Sequence, residues 1–145
     1  MKLRSLVSWA LALLFLLAAY GKFGDLLAFT AALAALDLGI PQEALPFVAR
    51  LVPWVEVVTA VALLVPRLRG AGALLGSGSV VAFSGVVALL MSRRVEVRCP
   101  CFGDLDFLCS GPLGMCHLLR NVVLLAICFW VALTTIRVDS RTMRP

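Results

Sequence analysis

Residues 70–92, G-A-G-A-L-L-G-S-G-S-V-V-A-F-S-G-V-V-A-L-L-M-S, carry no charged side chain and are bounded by Arg69 on one side and Arg93 on the other. About 20 apolar residues in a helix cross the hydrocarbon core of a bilayer, so this run predicts a membrane-spanning helix without help from its flanks. Three further stretches fit around it. Residues 5–21 are uncharged, residues 51–65 are uncharged apart from Glu56, and residues 121–136 are uncharged. These are slightly short, but Lys22, Arg50, Arg120 and Arg137 can extend their charges toward headgroups along apolar stems.

Composition agrees with the spans. The chain has 145 residues, 62% hydrophobic and 14% charged, and a mean hydropathy of +1.04. Soluble domains hold roughly 45–50% apolar and about 25% charged residues, so a water-soluble fold would leave far too much apolar surface uncovered. Backbone groups in lipid must bond within their own segment, and no alternating pattern runs long enough for a barrel. The expected fold is therefore an all-α integral membrane protein, a four-transmembrane-helix bundle in a single domain, 1–145. Its spans are expected at about 5–22, 48–66, 70–92 and 117–137, with a loop at 93–116. The first span, preceded by Lys2 and Arg4, continues into Y-G-K-F-G-D without a clear cleavage box, and reads as a retained helix rather than a signal peptide. After it, L-L-A-F-T-A-A-L-A-A-L-D is too short to cross and reads as an interfacial helix or one tucked against the bundle. Pro41 and Pro46 mark a connector, and L-V-P-W-V-E opens the second span with Pro53 suited to a first helical turn. The glycines at 70–78 read as contact points for close helix packing.

Four spans put both termini on one side, together with the 66–70 turn. That side holds seven basic residues against six on the other, and Lys2 and Arg4 precede the first helix, so the termini are expected in the cytoplasm and the Arg98–His117 loop outside. The formal net charge of +5 then serves topology and lipid contact. No basic patch interleaved with aromatics suggests nucleic acid.

The chemistry concentrates in that loop. Of the five cysteines, Cys99, Cys101, Cys109 and Cys116 fall within it, while Cys128 lies mid-span and reads as an apolar packing residue. Cys99 and Cys101 are close enough in sequence to bond with a modest bend, and so small a ring makes a strained, exchangeable disulfide. Pro100 restricts the backbone between them. Arg98 favours the thiolate of Cys99. Phe102 and Gly103 shape the loop, the glycine leaving room for a partner's backbone. Two other readings stand beside exchange. A structural disulfide would more usefully close a longer loop. A zinc clip using these cysteines and His117 would want ligand spacings of two to four residues, so no metal is expected. Cys109 and Cys116 form either a loop staple or a second redox pair, and His117 reads as a helix-start residue. Glu56 and Lys22, on one side of the membrane, read as a structural ion pair, with a proton relay as the alternative.

A-A-Y-G-K-F-G-D after the first helix, L-V-P-W-V-E at the second, C-P-C-F-G after the third and L-L-R-N-V-V-L at the fourth together resemble the methylamine utilisation protein MauE family, within the DoxX-like group of small four-helix membrane proteins. The resemblance implies redox maturation of an extracytoplasmic client, with a thioredoxin-fold redox protein or a secreted disulfide-containing protein as partner, in a bacterial inner membrane. MauE-like proteins are associated with forming the disulfide-rich small subunit of methylamine dehydrogenase. Architecturally the chain is also similar to quinone-linked thiol oxidases, which makes a membrane quinone the candidate cofactor, although it lacks their C-x-x-C. Proline stands where the family commonly has glycine, and Cys109 and Cys116 are additions. The expected function is membrane thiol–disulfide exchange by Cys99 and Cys101. The alternatives are a non-enzymatic assembly subunit with structural disulfides, or a quinone-pool-associated subunit.

Overall fold

The computed structural model describes residues 2–35, 37, 39–93 and 114–142, and among these the side chains of residue 2 and of 138–142 are outside the description. Arg98, Cys99, Pro100, Cys101, Phe102, Gly103 and Cys109 therefore lie outside the described residues. The chain forms α1 (Lys2–Gly24), α2 (Leu26–Ala35), α3 (Leu45–Leu64), α4 (Arg69–Arg93) and α5 (Met115–Thr142). Four of these are long and apolar enough to cross a membrane: Leu3–Gly24, Leu45–Leu64, Arg69–Arg93 and Met115–Arg137. At 1.5 Å per residue, even the 20 residues of α3 reach about 30 Å. The helices are apolar on all sides. Trp9, Leu13, Trp54, Val58, Leu74, Val81, Val122 and Phe129 face outward, where a bilayer covers them and water would not.

The long helices pack in the ring order α1, α3, α4, α5, closed by a lighter contact between α5 and α1. Their shared core holds Leu11 and Ala12 of α1, Ala60 and Leu63 of α3, Ala73 of α4, and Cys128, Val131 and Ala132 of α5. The small residues in it let backbones approach, as membrane packing without a hydrophobic drive between helices requires. Gly72 is the tightest point. A Cβ there would lie 2.8 Å from the Leu63 backbone nitrogen and 2.9 Å from the Ala62 carbonyl carbon. Gly76 gives way in the same manner to the Phe15 ring, whereas Gly78 and Gly85 meet nothing. Hydroxyls inside the bundle are satisfied within their own helix: Ser8, Thr59, Ser77, Ser84 and Thr135 each donate to the carbonyl four residues back.

Local chemistry sets the breaks. Asp25 ends α1 and caps α2, its Oδ1 accepting the Ala28 N–H at 2.9 Å. The ten-residue α2 is too short to span. It buries Phe29 and Ala32 and packs mainly on α3. Asp37 and Gly39 then adopt positive φ to turn the chain, and Arg93 Nη1 ties the end of α4 to the Asp37 carbonyl at 3.3 Å.

The second span differs from the sequence reading in one respect that matters. The first-turn proline of α3 is Pro46, and Pro53 lies inside the helix, buried. The helix extends upstream through Phe47–Leu51, because Leu45, Ala49 and Pro53 continue the buried stripe of the later turns. Glu56 is consequently the twelfth residue of α3 rather than one turn from its start. That is about 17 Å from its first residue.

Candidate functional site

Glu56 occupies a position where periodicity calls for a core residue. Leu45, Ala49, Pro53, Glu56, Ala60 and Leu63 form one inward stripe. The carboxylate faces the last turn of α1, where Lys22 points inward. Lys22 Nζ donates to Glu56 Oε1 at 2.7 Å, with the two side chains 1% and 3% exposed. The ammonium also donates to the Ala18 carbonyl at 3.4 Å. It lies 5.0 Å from the Phe83 ring centroid and 5.8 Å from that of Phe29, so α1, α2, α3 and α4 all contribute to its surroundings. Close to the pair in sequence, Phe23 and Trp54 meet edge to face at 5.6 Å on the outward side of α1 and α3. Glu56 Oε2 is buried without a hydrogen-bond partner. In a low-dielectric setting a matched pair of opposite charges is far cheaper than either charge alone. Helix dipole help, expected for a first-turn acid, does not reach a residue three turns in.

The second element is the start of α5. Gly114 precedes the helix, and its N–H donates to His117 Nδ1 at 3.4 Å while the His117 N–H returns to the Gly114 carbonyl at 3.0 Å. The side chain at the third helical position thus serves the first orphan N–H, as a capping box does. His117 and Asn121 are buried, and lie one turn apart on the inward face. Cys116, the residue before His117, is exposed and disulfide-bonded, and its partner lies outside the described residues. Arg120 follows Cys116 by one turn on the same helix edge. Cys128 is free and wholly buried in the core, twelve residues or about 18 Å further along α5. Among the described residues no three His, Cys, Asp or Glu side chains converge as metal ligands.

Lys22 and Glu56, 34 residues apart, are thus brought together in the bundle interior, and Cys116 is placed at the mouth of a spanning helix. Two contributors escaped the sequence reading. Phe29 and Phe83 carry no signal that separates them from other apolar residues in their helices, and only the packing aims them at Lys22.

These features define a multi-pass membrane protein built on a helical bundle, with a buried ion pair and a cysteine-bearing segment at one end. A family model described as "Methylamine utilisation protein MauE" matches residues 1–134. The chain belongs to the MauE family. It is 32% identical over 96 residues to the methylamine utilization protein MauE of Methylophilus methylotrophus. That alignment covers 66% of this chain and 49% of the relative, so the chain spans about half the length of the curated protein it matches. No solved structure matches it.

Proposed function

We propose that this protein is a membrane thiol–disulfide exchanger that serves the maturation of an extracytoplasmic client in methylamine utilisation. The observation that carries the reading is Cys116: exposed, disulfide-bonded and on the first turn of a spanning helix. The positive end of the α5 dipole and Arg120 one turn away both favour a departing thiolate there. The sequence sets Cys99-Pro100-Cys101 fifteen residues upstream, next to Arg98.

In the proposed exchange a client thiolate attacks one sulfur of the Cys99–Cys101 disulfide. The electron pair of the broken S–S bond leaves on the other cysteine, with Arg98 stabilising that thiolate. A second client thiolate attacks the mixed disulfide, so the client loses two electrons and the pair becomes a dithiol. Reoxidation passes the two electrons to the Cys109–Cys116 disulfide, or to a membrane quinone that also takes two protons. The same steps in reverse reduce a client disulfide. A thioredoxin-fold protein is the partner class suited to this chemistry, since its own exposed thiol attacks and leaves in the same manner. Both termini are assigned to the cytoplasm, and the cysteine segment to the outer face of the bacterial inner membrane.

Trapping tests the reading. Cys101→Ser is expected to accumulate a mixed disulfide through Cys99, or Cys99→Ser through Cys101, visible as a reducible band on a non-reducing gel. If neither variant traps a partner in cells that express the full pathway, exchange is ruled out and the cysteines serve as staples of an assembly subunit. A periplasm-only reporter fused after Gly103 is expected to be active. A silent reporter reverses the assigned sidedness.

A further inference from the structure

The end of the bundle formed by the start of α1, the turn between α3 and α4 and the close of α5 gathers Arg4, Arg67, Arg69 and Arg137. Two of these are unusual in how they are held. Arg69, the first residue of α4, is 5% exposed, and its Nε donates to the Leu63 carbonyl at 3.2 Å. Arg4, in the first turn of α1, donates through Nη1 to the Thr134 carbonyl at 3.2 Å, and its Nε is buried with no partner. Arg4 and Arg69 meet the same turn of α5: Arg4 holds the Thr134 carbonyl, and a Cβ on Gly70, the residue after Arg69, would lie 3.5 Å from Thr135 Cγ2. Among the described residues the acceptors of the two guanidiniums are neutral carbonyls, which position a cation without compensating its charge.

No described carboxylate stands at this end. Asp25, Asp37 and Glu43 belong to the opposite end, and Glu56 is committed to Lys22. In the sequence the acid nearest this end is Asp139, whose side chain is outside the description. Two like charges drawn together, one of them nearly enclosed, hold that arrangement when an anion completes it. The first N–H groups of α4 point to the same end and add their partial positive charge. The anion belongs at the depth where two spanning helices begin, which is where phospholipid headgroups lie. Leu3, Leu6 and Leu68 are exposed alongside, apolar surface for acyl chains beside a charged head.

We propose that Arg4 and Arg69 bind the phosphate of an anionic phospholipid at this end of the bundle. The guanidiniums supply paired N–H donors to the phosphate oxygens, and the ligand links α1 to α4 and α5 where no side-chain ion pair does so among the described residues. This site is independent of the cysteine chemistry.

The full chain, purified in mild detergent and offered phosphatidylglycerol or phosphatidylcholine, is read by native mass spectrometry for retained lipid. The expected result is a preference for phosphatidylglycerol that falls about fivefold in Arg4→Gln. Arg4 is only half-buried, so this variant leaves the fold intact if Arg69→Gln does not. Arg67→Gln, in the exposed turn, is expected to keep the preference. Equal losses in Arg67→Gln and Arg4→Gln would mean a diffuse surface potential and overturn the site. If inorganic phosphate in phosphatidylcholine reproduces the thermal stabilisation given by phosphatidylglycerol, the ligand is free phosphate and the lipid assignment fails. A wild type without preference that gains one in Asp139→Asn would make Asp139 the counter-charge and refute the proposal.

Discussion

Replacing Lys22 by methionine strands a carboxylate that is 97% enclosed, since Glu56 is 3% exposed and its Oε1 contact is the 2.7 Å bond to Lys22. Breaking one side of a buried pair costs about 3–5 kcal/mol. The figure here belongs in the upper part of that range, because Oε2 already lacks a partner and the next residues of the stripe, Ala60 and Leu63, are fully enclosed. Glu56→Leu strands the ammonium instead, but Lys22 keeps the Ala18 carbonyl and two aromatic faces, so its penalty falls nearer 3 kcal/mol. The double variant Lys22→Met, Glu56→Leu removes both charges and is expected within about 1 kcal/mol of wild type. The coupling in the cycle is therefore at least about 5 kcal/mol. The assay is equilibrium unfolding of the detergent-solubilised protein in mixed micelles, with the fluorescence of its three tryptophans as the probe. A double variant as unstable as the sum of the singles would refute the argument. So would a Lys22→Met variant that loses less than about 1 kcal/mol.

Gly72→Ala is expected to destabilise by about 1–3 kcal/mol, since its Cβ would meet the backbone of Ala62 and Leu63, while Gly78→Ala, which meets nothing, leaves the midpoint unchanged. Thermal denaturation of the two variants side by side gives the comparison. Asp25→Ala removes the cap on the Ala28 N–H and is expected to cost about 1 kcal/mol, with faster amide exchange confined to the first turn of α2. Cys128, free and enclosed, is expected to resist maleimide in the folded protein and to react once the chain is unfolded. Its Cys128→Ala variant keeps the disulfide at Cys116, as mass-resolved alkylation will show.

Much of the architecture is legible because lipid imposes a coarse rule. Uncharged runs near 20 residues become helices whatever their detailed propensities, so residues 70–92 and 121–136 announce themselves. Boundaries are harder. Residues 45–50 contain Pro46 and Arg50 and break the apolar run, yet they are helical, because Leu45 and Ala49 continue the buried stripe of α3, the helix on which α2 packs. A linear reading cannot see that cover. This is also why Pro53 resembles a helix start in sequence and lies in an interior turn in three dimensions. Lys22 and Glu56 stand out as lone charges at apolar flanks, so their kinship is readable from sequence. Their depth is not, because it follows from the register of α1 against α3. Phe29 and Phe83 have no sequence signature at all, and the Arg4–Arg69 approach depends on four elements meeting at one end.

The offset between α1 and α3 bears on how the chain enters the membrane. Lys22 is near the end of α1 and can wait at the interface while that helix is alone. Glu56 arrives 34 residues later, in the middle of its own helix, where an ionised residue disfavours insertion by about 3 kcal/mol. By then its counter-charge is already in place. The order of synthesis thus matches the order of need: the first hairpin of the nascent chain becomes self-sufficient when its two charges meet, before α4 and α5 leave the ribosome.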